Sequence, residues 1–168
     1  PDRVQPGHFV TTDGCGPTQP PTPEGYKHFF PFLDLYSDHV TVLLAKTRAD
    51  FPQLLRQCKA ELEASDLEIS HLRIFHSDNA PELNSDEAKS VCAECECVKT
   101  SGDPYNSTLA NPEVERCIRD LTEGMRTALI ASRLPARMWG HGVRHAAYVR
   151  NRRPKLKLGW KSSIEILG

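Results

Sequence analysis

The sequence predicts an α/β fold: a mixed five-stranded sheet, three antiparallel strands first and parallel crossovers after, flanked by helices. Three observations predict it. Apolar segments with strand character crowd the stretch from Phe9 to Ala45. From Phe51 the apolar spacing becomes helical. After that, strand and helix alternate until two helices close the chain, an order that builds a sheet covered by helices.

Phe9 to Asp13 reads as the first strand, and the Pro-rich run Pro17 to Pro23 as a loop, because proline lacks the donor a strand interior needs. His28 to Leu33 and Val40 to Ala45 form a hairpin across Asp34–Asp38, in which Asp34 and Asp38 read as turn residues. Phe51, Leu54, Leu55, Cys58 and Leu62 mark a helix with Asp50 as N-cap. Leu72 to His76 is the fourth strand. A short helix over about residues 85–93 follows, with Asn84 and Glu87 at capping-box spacing. A brief strand near Cys97–Lys99 leads to a polar loop. Asn111 then caps a long helix with Pro112 at its first position and an apolar stripe from Val114 to Leu129. The last helix runs from about Pro135 to Asn151 and stops before Pro154. Trp139 and Tyr148 read as core.

The chain has 168 residues and 39% hydrophobic content, enough for one domain with a real core. We read residues 6–154 as that core and 155–168 as a basic extension. Apolar runs are no longer than a few residues, as at Val42–Ala45, which excludes a membrane-spanning helix. No apolar signal segment opens the chain, and there is no initiator Met, so the expectation is a piece of a longer protein that is not secreted. Six cysteines are then free thiols by default. Net charge is −1 but is unevenly spread: residues 124–168 carry +9 and the rest −10. Such a chain can hold cations at one place and a polyanion at another.

Three carboxylates stand at ends of elements: Asp13 after the first strand, Asp78 after the fourth, and Glu115 one turn into the long helix. If the first and fourth strands are neighbours, Asp13 and Asp78 meet, and a helix alongside can deliver Glu115. Ionised carboxylates that close need a cation. Hard oxygen ligands suit Mg²⁺ or Mn²⁺, and two such ions can clamp a phosphate for in-line displacement. The plainer reading is that these acids cap helices and form turns. Cys92, Cys95 and Cys97 suggest three of four zinc ligands or simply buried thiols. His141 and His145 share a helix face and read as surface residues. Arg150, Arg152, Arg153, Lys155, Lys157 and Lys161 either contact phosphates or complement the dipole of the last helix.

Five ordered blocks carry a wider likeness: Thr12–Pro17, Gly25–Ser37, His76–Asn79, Pro104–Asn106 through Asn111–Arg116, and Leu134–Trp139 with Tyr148–Pro154. Together they resemble the integrase catalytic core of copia-type LTR retrotransposons nearly end to end. Thirty-six residues separate Asp78 from Glu115, close to the spacing usual in that family. The resemblance implies a ribonuclease H-like fold and a polynucleotidyl transferase that joins element DNA 3′ ends to target DNA. It implies that Asp13, Asp78 and Glu115 hold two Mg²⁺ or Mn²⁺ ions, with endonuclease activity a further expectation. Asn79, Arg116 and Arg119 become candidate DNA contacts. Double-stranded DNA and further copies of the chain become its partners. The implied setting is the nucleus for function, preceded by a cytoplasmic particle. The sequence also departs from the pattern. Ala80, followed by Pro81, and Pro112 stand where glycines are usual. Cys117-Ile118 stands where a polar pair is common, which removes a possible DNA contact. A catalytically degenerate DNA- or protein-binding module is the alternative.

Overall fold

Alternation in the first three strands divides the chain's apolar residues between two faces of one sheet. In the computed structural model, which describes residues 5–64, 72–77, 80–81, 83–101 and 111–168, strands β1 (Phe9–Thr12), β2 (His28–Asp34), β3 (Val40–Ala45), β4 (Ile74–Ser77) and β5 (Val98–Ser101) lie in the order β3-β2-β1-β4-β5. β1 pairs antiparallel with β2 and parallel with β4, and β4 pairs parallel with β5. The sheet is therefore mixed, as expected.

Helices α1 (Phe51–Ala64) and α2 (Asp86–Glu94) cover one face over Val10, Phe30, Phe32, Leu43 and Phe75. Helices α3 (Asn111–Ala131) and α4 (Trp139–Arg152) cover the other over Phe9, Phe29, Leu33, Val42 and Leu44. β2 is buried along its whole length because it is sandwiched by both layers. Small residues let α3 and α4 approach closely: a Cβ on Gly124 would stand 3.0 Å from the Ala146 Cβ.

Local chemistry moves several element starts. Asp50 lies in a 3₁₀ turn (Arg48–Asp50) ahead of α1, where its carboxylate accepts from the amides of Lys46 and Thr47 at 2.9 and 3.0 Å. α2 is capped by Ser85, whose Oγ accepts from the Ala88 amide at 3.1 Å. Asn84 instead accepts from the Lys99 ammonium. A short helix α5 (Ser163–Leu167) closes the chain, started by a capping box between Ser162 and Glu165 that the sequence reading passed over. Tyr148, expected in the core, is 55% exposed, whereas Trp139 is buried and donates to the Pro20 carbonyl at 3.0 Å.

Candidate active site

Asp13 directly follows β1, and the next three residues are held hard. Cys15 exchanges two backbone hydrogen bonds of 3.0 Å with Phe29. Gly14 lies flat on the Phe30 ring, where an added Cβ would meet Cε1 at 2.8 Å. The Arg48 guanidinium donates to the carbonyls of Gly14 and Gly16 at 3.4 and 3.3 Å. Phe9 and Cys15 both belong to the face covered by α3 and α4, so the period-2 alternation of a strand assigns Asp13 to that face. The Cys15 thiol is pushed up, first by burial and then by the Asp13 charge, with Arg48 opposing.

The register of the parallel pair sets Thr12 opposite Ser77, each the last residue of its strand. Asp78 and Asn79 lie outside the described residues. Glu115 stands one turn into α3 and is exposed, between the buried Val114 and Cys117. Arg116 and Arg119 are exposed beside it. Cys117, a member of the apolar stripe read from sequence, is fully buried against the sheet. That position is a packing position and faces no solvent. Among the described residues, no group of three or more His, Cys, Asp or Glu side chains is placed to hold a metal ion. This applies to Cys92, Cys95 and Cys97, which are buried in the core beneath α1 and α2, where the Cys97 amide donates to the Cys92 carbonyl at 3.0 Å.

Two cations of the basic C-terminal segment, left open from sequence between phosphate contact and the helix dipole, are engaged within the protein. Arg150 and Lys155 are both only 10% exposed and clamp the Asp38 carboxylate, with Nη2–Oδ2 at 2.9 Å and Nζ–Oδ2 at 2.6 Å. Both also donate to the Asp38 carbonyl, at 2.8 and 3.0 Å, and Lys157 adds a third ion pair. Asp38 is more than a turn former: it takes a left-handed φ of 57° that aspartate tolerates, and it anchors the C-terminal segment. Burial alone would raise its carboxyl, but Arg150, Lys155 and Lys157 outweigh that and hold it below the ordinary value. Next to this cluster, Asn151 brackets the backbone of Val40, accepting from its amide at 2.9 Å and donating to its carbonyl at 2.8 Å. Arg152 and Arg153 remain exposed, with Arg152 lying 3.5 Å over the Tyr148 ring. Asp34 is a turn former, as expected, its carboxylate accepting from the amide and hydroxyl of Ser37. His141 and His145 are exposed on α4. No helix among the described residues is long and apolar enough to cross a membrane.

Comparison with known proteins places this architecture. No protein-family model matches the chain. The chain superposes on the simian T-cell lymphotropic virus intasome, solved in complex with PP2A regulatory subunit B56 gamma, with a TM-score of 0.77 and 20% identity over 97% of this chain and 55% of that one. It superposes on the HTLV-2 integrase catalytic core domain, solved in complex with magnesium in a trimeric form, with a TM-score of 0.72 and 16% identity over 98% of this chain and 99% of that one. The class is thus the ribonuclease H-like fold of integrase catalytic cores. In sequence, the chain is 31% identical over 156 residues to the retrovirus-related Pol polyprotein from transposon TNT 1-94 of Nicotiana tabacum. The match takes in 91% of this chain and spans 11% of that polyprotein's length. The chain belongs to the integrase cores of LTR retrotransposons.

Proposed function

We propose that the chain is a divalent-metal-dependent polynucleotidyl transferase that joins the 3′ ends of element DNA to target DNA. The observation that carries this reading is the parallel β1–β4 pairing in the register Thr12–Ser77. Asp13 and Asp78 each stand next in sequence to one member of that pair. Glu115 supplies a third carboxylate from α3, the helix layered on the sheet face assigned to Asp13.

The donor set fits a hard cation. It is all carboxylate, the hard oxygen chemistry that Mg²⁺ and Mn²⁺ take. Asp13, Asp78 and Glu115 would hold the ion. When bound, Mg²⁺ or Mn²⁺ supplies Lewis-acid polarisation of phosphoryl oxygens and activation of the attacking hydroxyl. The chain's own residues orient and neutralise. Arg48 and the Phe30 ring hold the backbone of the segment that follows Asp13. Arg116 and Arg119 offer exposed positive charge to a DNA backbone beside Glu115. Double-stranded DNA is the partner and a homo-oligomer the working state, in keeping with the intasome and trimeric-core relatives.

A catalytically silent, integrase-derived binding module is the second reading. It is favoured by Ala80 and Pro112, which stand where glycines are usual near two of the three acids. Calorimetry with Mn²⁺ separates the two: uptake that disappears in Asp78→Asn supports the enzyme, and no uptake supports the silent module. With a recessed-end duplex and Mn²⁺, the enzyme reading expects nicking or joining that Asp78→Asn abolishes. Activity surviving in that variant would overturn it.

A further inference from the structure

Three thiols crowd the junction between α2 and β5, and the backbone there selects two of them. Glu96 takes a left-handed φ of 54° and turns the chain out of α2. Its amide donates to the Ala93 carbonyl at 3.0 Å, and the Cys97 amide donates to the Cys92 carbonyl at 3.0 Å. These nested bonds are the usual closure of a helix on a left-handed residue, and the side chains at the two ends of the outer bond pack together in it. Here those side chains are Cys92 and Cys97, which share one core cluster at 3% and 8% exposure. One backbone bond of 3.0 Å between the two residues brings their α-carbons into the range a disulfide spans, about 4.4–6.8 Å. Cys95 lies between them at the end of α2, and its amide donates instead to the Val91 carbonyl at 2.9 Å.

The two thiols differ in character. Cys92 is held below its ordinary range, first by the neighbouring Cys97 side chain, against burial and with help from the Lys99 ammonium. Cys97 is pushed up, first by Cys92 and then by burial. Cys92 therefore gives up its proton more readily, and the thiolate is the reactive form of cysteine. Cys58, in the same cluster, is pushed up by burial above all. The pair lies directly beneath the surface, because Ala93, Glu94, Glu96 and Val98 around it are all exposed.

We propose that Cys92 and Cys97 form an oxidisable dithiol, which hydrogen peroxide converts to a disulfide that staples the last turn of α2 to the start of β5. The Cys92 thiolate attacks a peroxide oxygen and the O–O bond breaks. The departing hydroxide takes up the proton that Cys92 released and leaves as water. The Cys97 sulfur then attacks the sulfur of the Cys92 sulfenic acid. The S–O bond breaks, the hydroxide leaves with the Cys97 proton as a second water, and the S–S bond forms. The thiols lose an electron pair and the peroxide gains it. No carboxylate, metal or DNA takes part, so this chemistry stands or falls apart from the transferase reading.

Peroxide on the whole folded chain, followed by unfolding in N-ethylmaleimide and mass spectrometry, tests it. Labelled thiols should fall from six to four, and dithiothreitol should restore all six. Fragmentation should place the bond between Cys92 and Cys97. The chain oxidised in urea, where the fold no longer selects partners, should mix Cys92, Cys95 and Cys97 in its disulfides. Cys95→Ser should keep the folded-state bond. Cys97→Ser in the Cys95→Ser background should stop at a Cys92 sulfenic acid that dimedone traps. Six labelled thiols after peroxide, a folded chain that mixes its pairings as the unfolded one does, or no dimedone adduct on Cys92 in the double variant each overturns the proposal.

Discussion

Asp38→Asn tests the anchor that fixes the C-terminal segment. Asparagine keeps the side-chain shape and tolerates the left-handed φ of 57°, so the substitution removes charge and little else. It strands Arg150 and Lys155, each only 10% exposed, without their carboxylate. Removing one partner of a buried pair costs about 3–5 kcal/mol. The half-exposed Lys157 adds no more than about 1 kcal/mol. The Asp38 carbonyl still accepts from both buried cations, which favours the lower end, about 3 kcal/mol. For a chain of this size that lowers the melting temperature by about 6–12 °C. Urea unfolding followed by circular dichroism reads the loss directly. There is also a pH signature. The folded Asp38 carboxyl is held below its unfolded value of 3.8, so its contribution is present above that value and fades as pH falls further. The wild type should lose this component below about pH 4, and the variant should lack it. A variant within 1 kcal/mol of wild type at pH 7, with the same acid limb, would refute the clamp.

Three other outcomes follow from the same geometry. His39 is held neutral down to about 4, first by burial and then by Lys155, Arg150 and Arg152. Its folded value lies below the unfolded 6.5, so its contribution is complete above pH 6.5 and is lost as pH falls to 4, about 3 kcal/mol in all. His39→Gln should flatten that slope in a series of unfolding curves. Asn151→Ala removes both side-chain bonds to the Val40 backbone, leaving a buried amide and carbonyl unmet, and should cost about 2–4 kcal/mol by chemical denaturation. Asp13→Asn should speed alkylation of the half-exposed Cys15 by iodoacetamide, because it removes the second cause of the raised thiol and leaves only burial. Mn²⁺ should do the same in the wild type, and an unchanged rate in Asp13→Asn would show that the Asp13 charge does not reach the thiol.

Strands and helices were legible where one residue's neighbours decide its place. The alternation through Phe29, Phe30, Phe32 and Leu33 sorts side chains to two faces without knowledge of what covers them, and both covers exist. The apolar stripe of α3 likewise found Cys117, Leu121 and Met125 buried. Starts of helices were less legible because Asn84 and Ser85 are both good caps. Lys99, fifteen residues away, takes Asn84 and leaves the cap to Ser85. The capping box at Ser162 and Glu165 is a local signal, but the helix it starts, Ser163–Leu167, is too short to show an apolar period.

At the candidate site, sequence could say which acids end their elements, and the β1–β4 register bears on two of those ends. Sequence could not say which cations are free. Six basic residues between Arg150 and Lys161 look alike as a string, yet Arg150 and Lys155 are spent on Asp38 while Arg152 and Arg153 face solvent. The deciding partner lies 112 residues upstream in a hairpin turn, and nothing in its local sequence marks it as more than a turn residue. Burial selects among equal charges, because a cation can leave water only where an anion already waits.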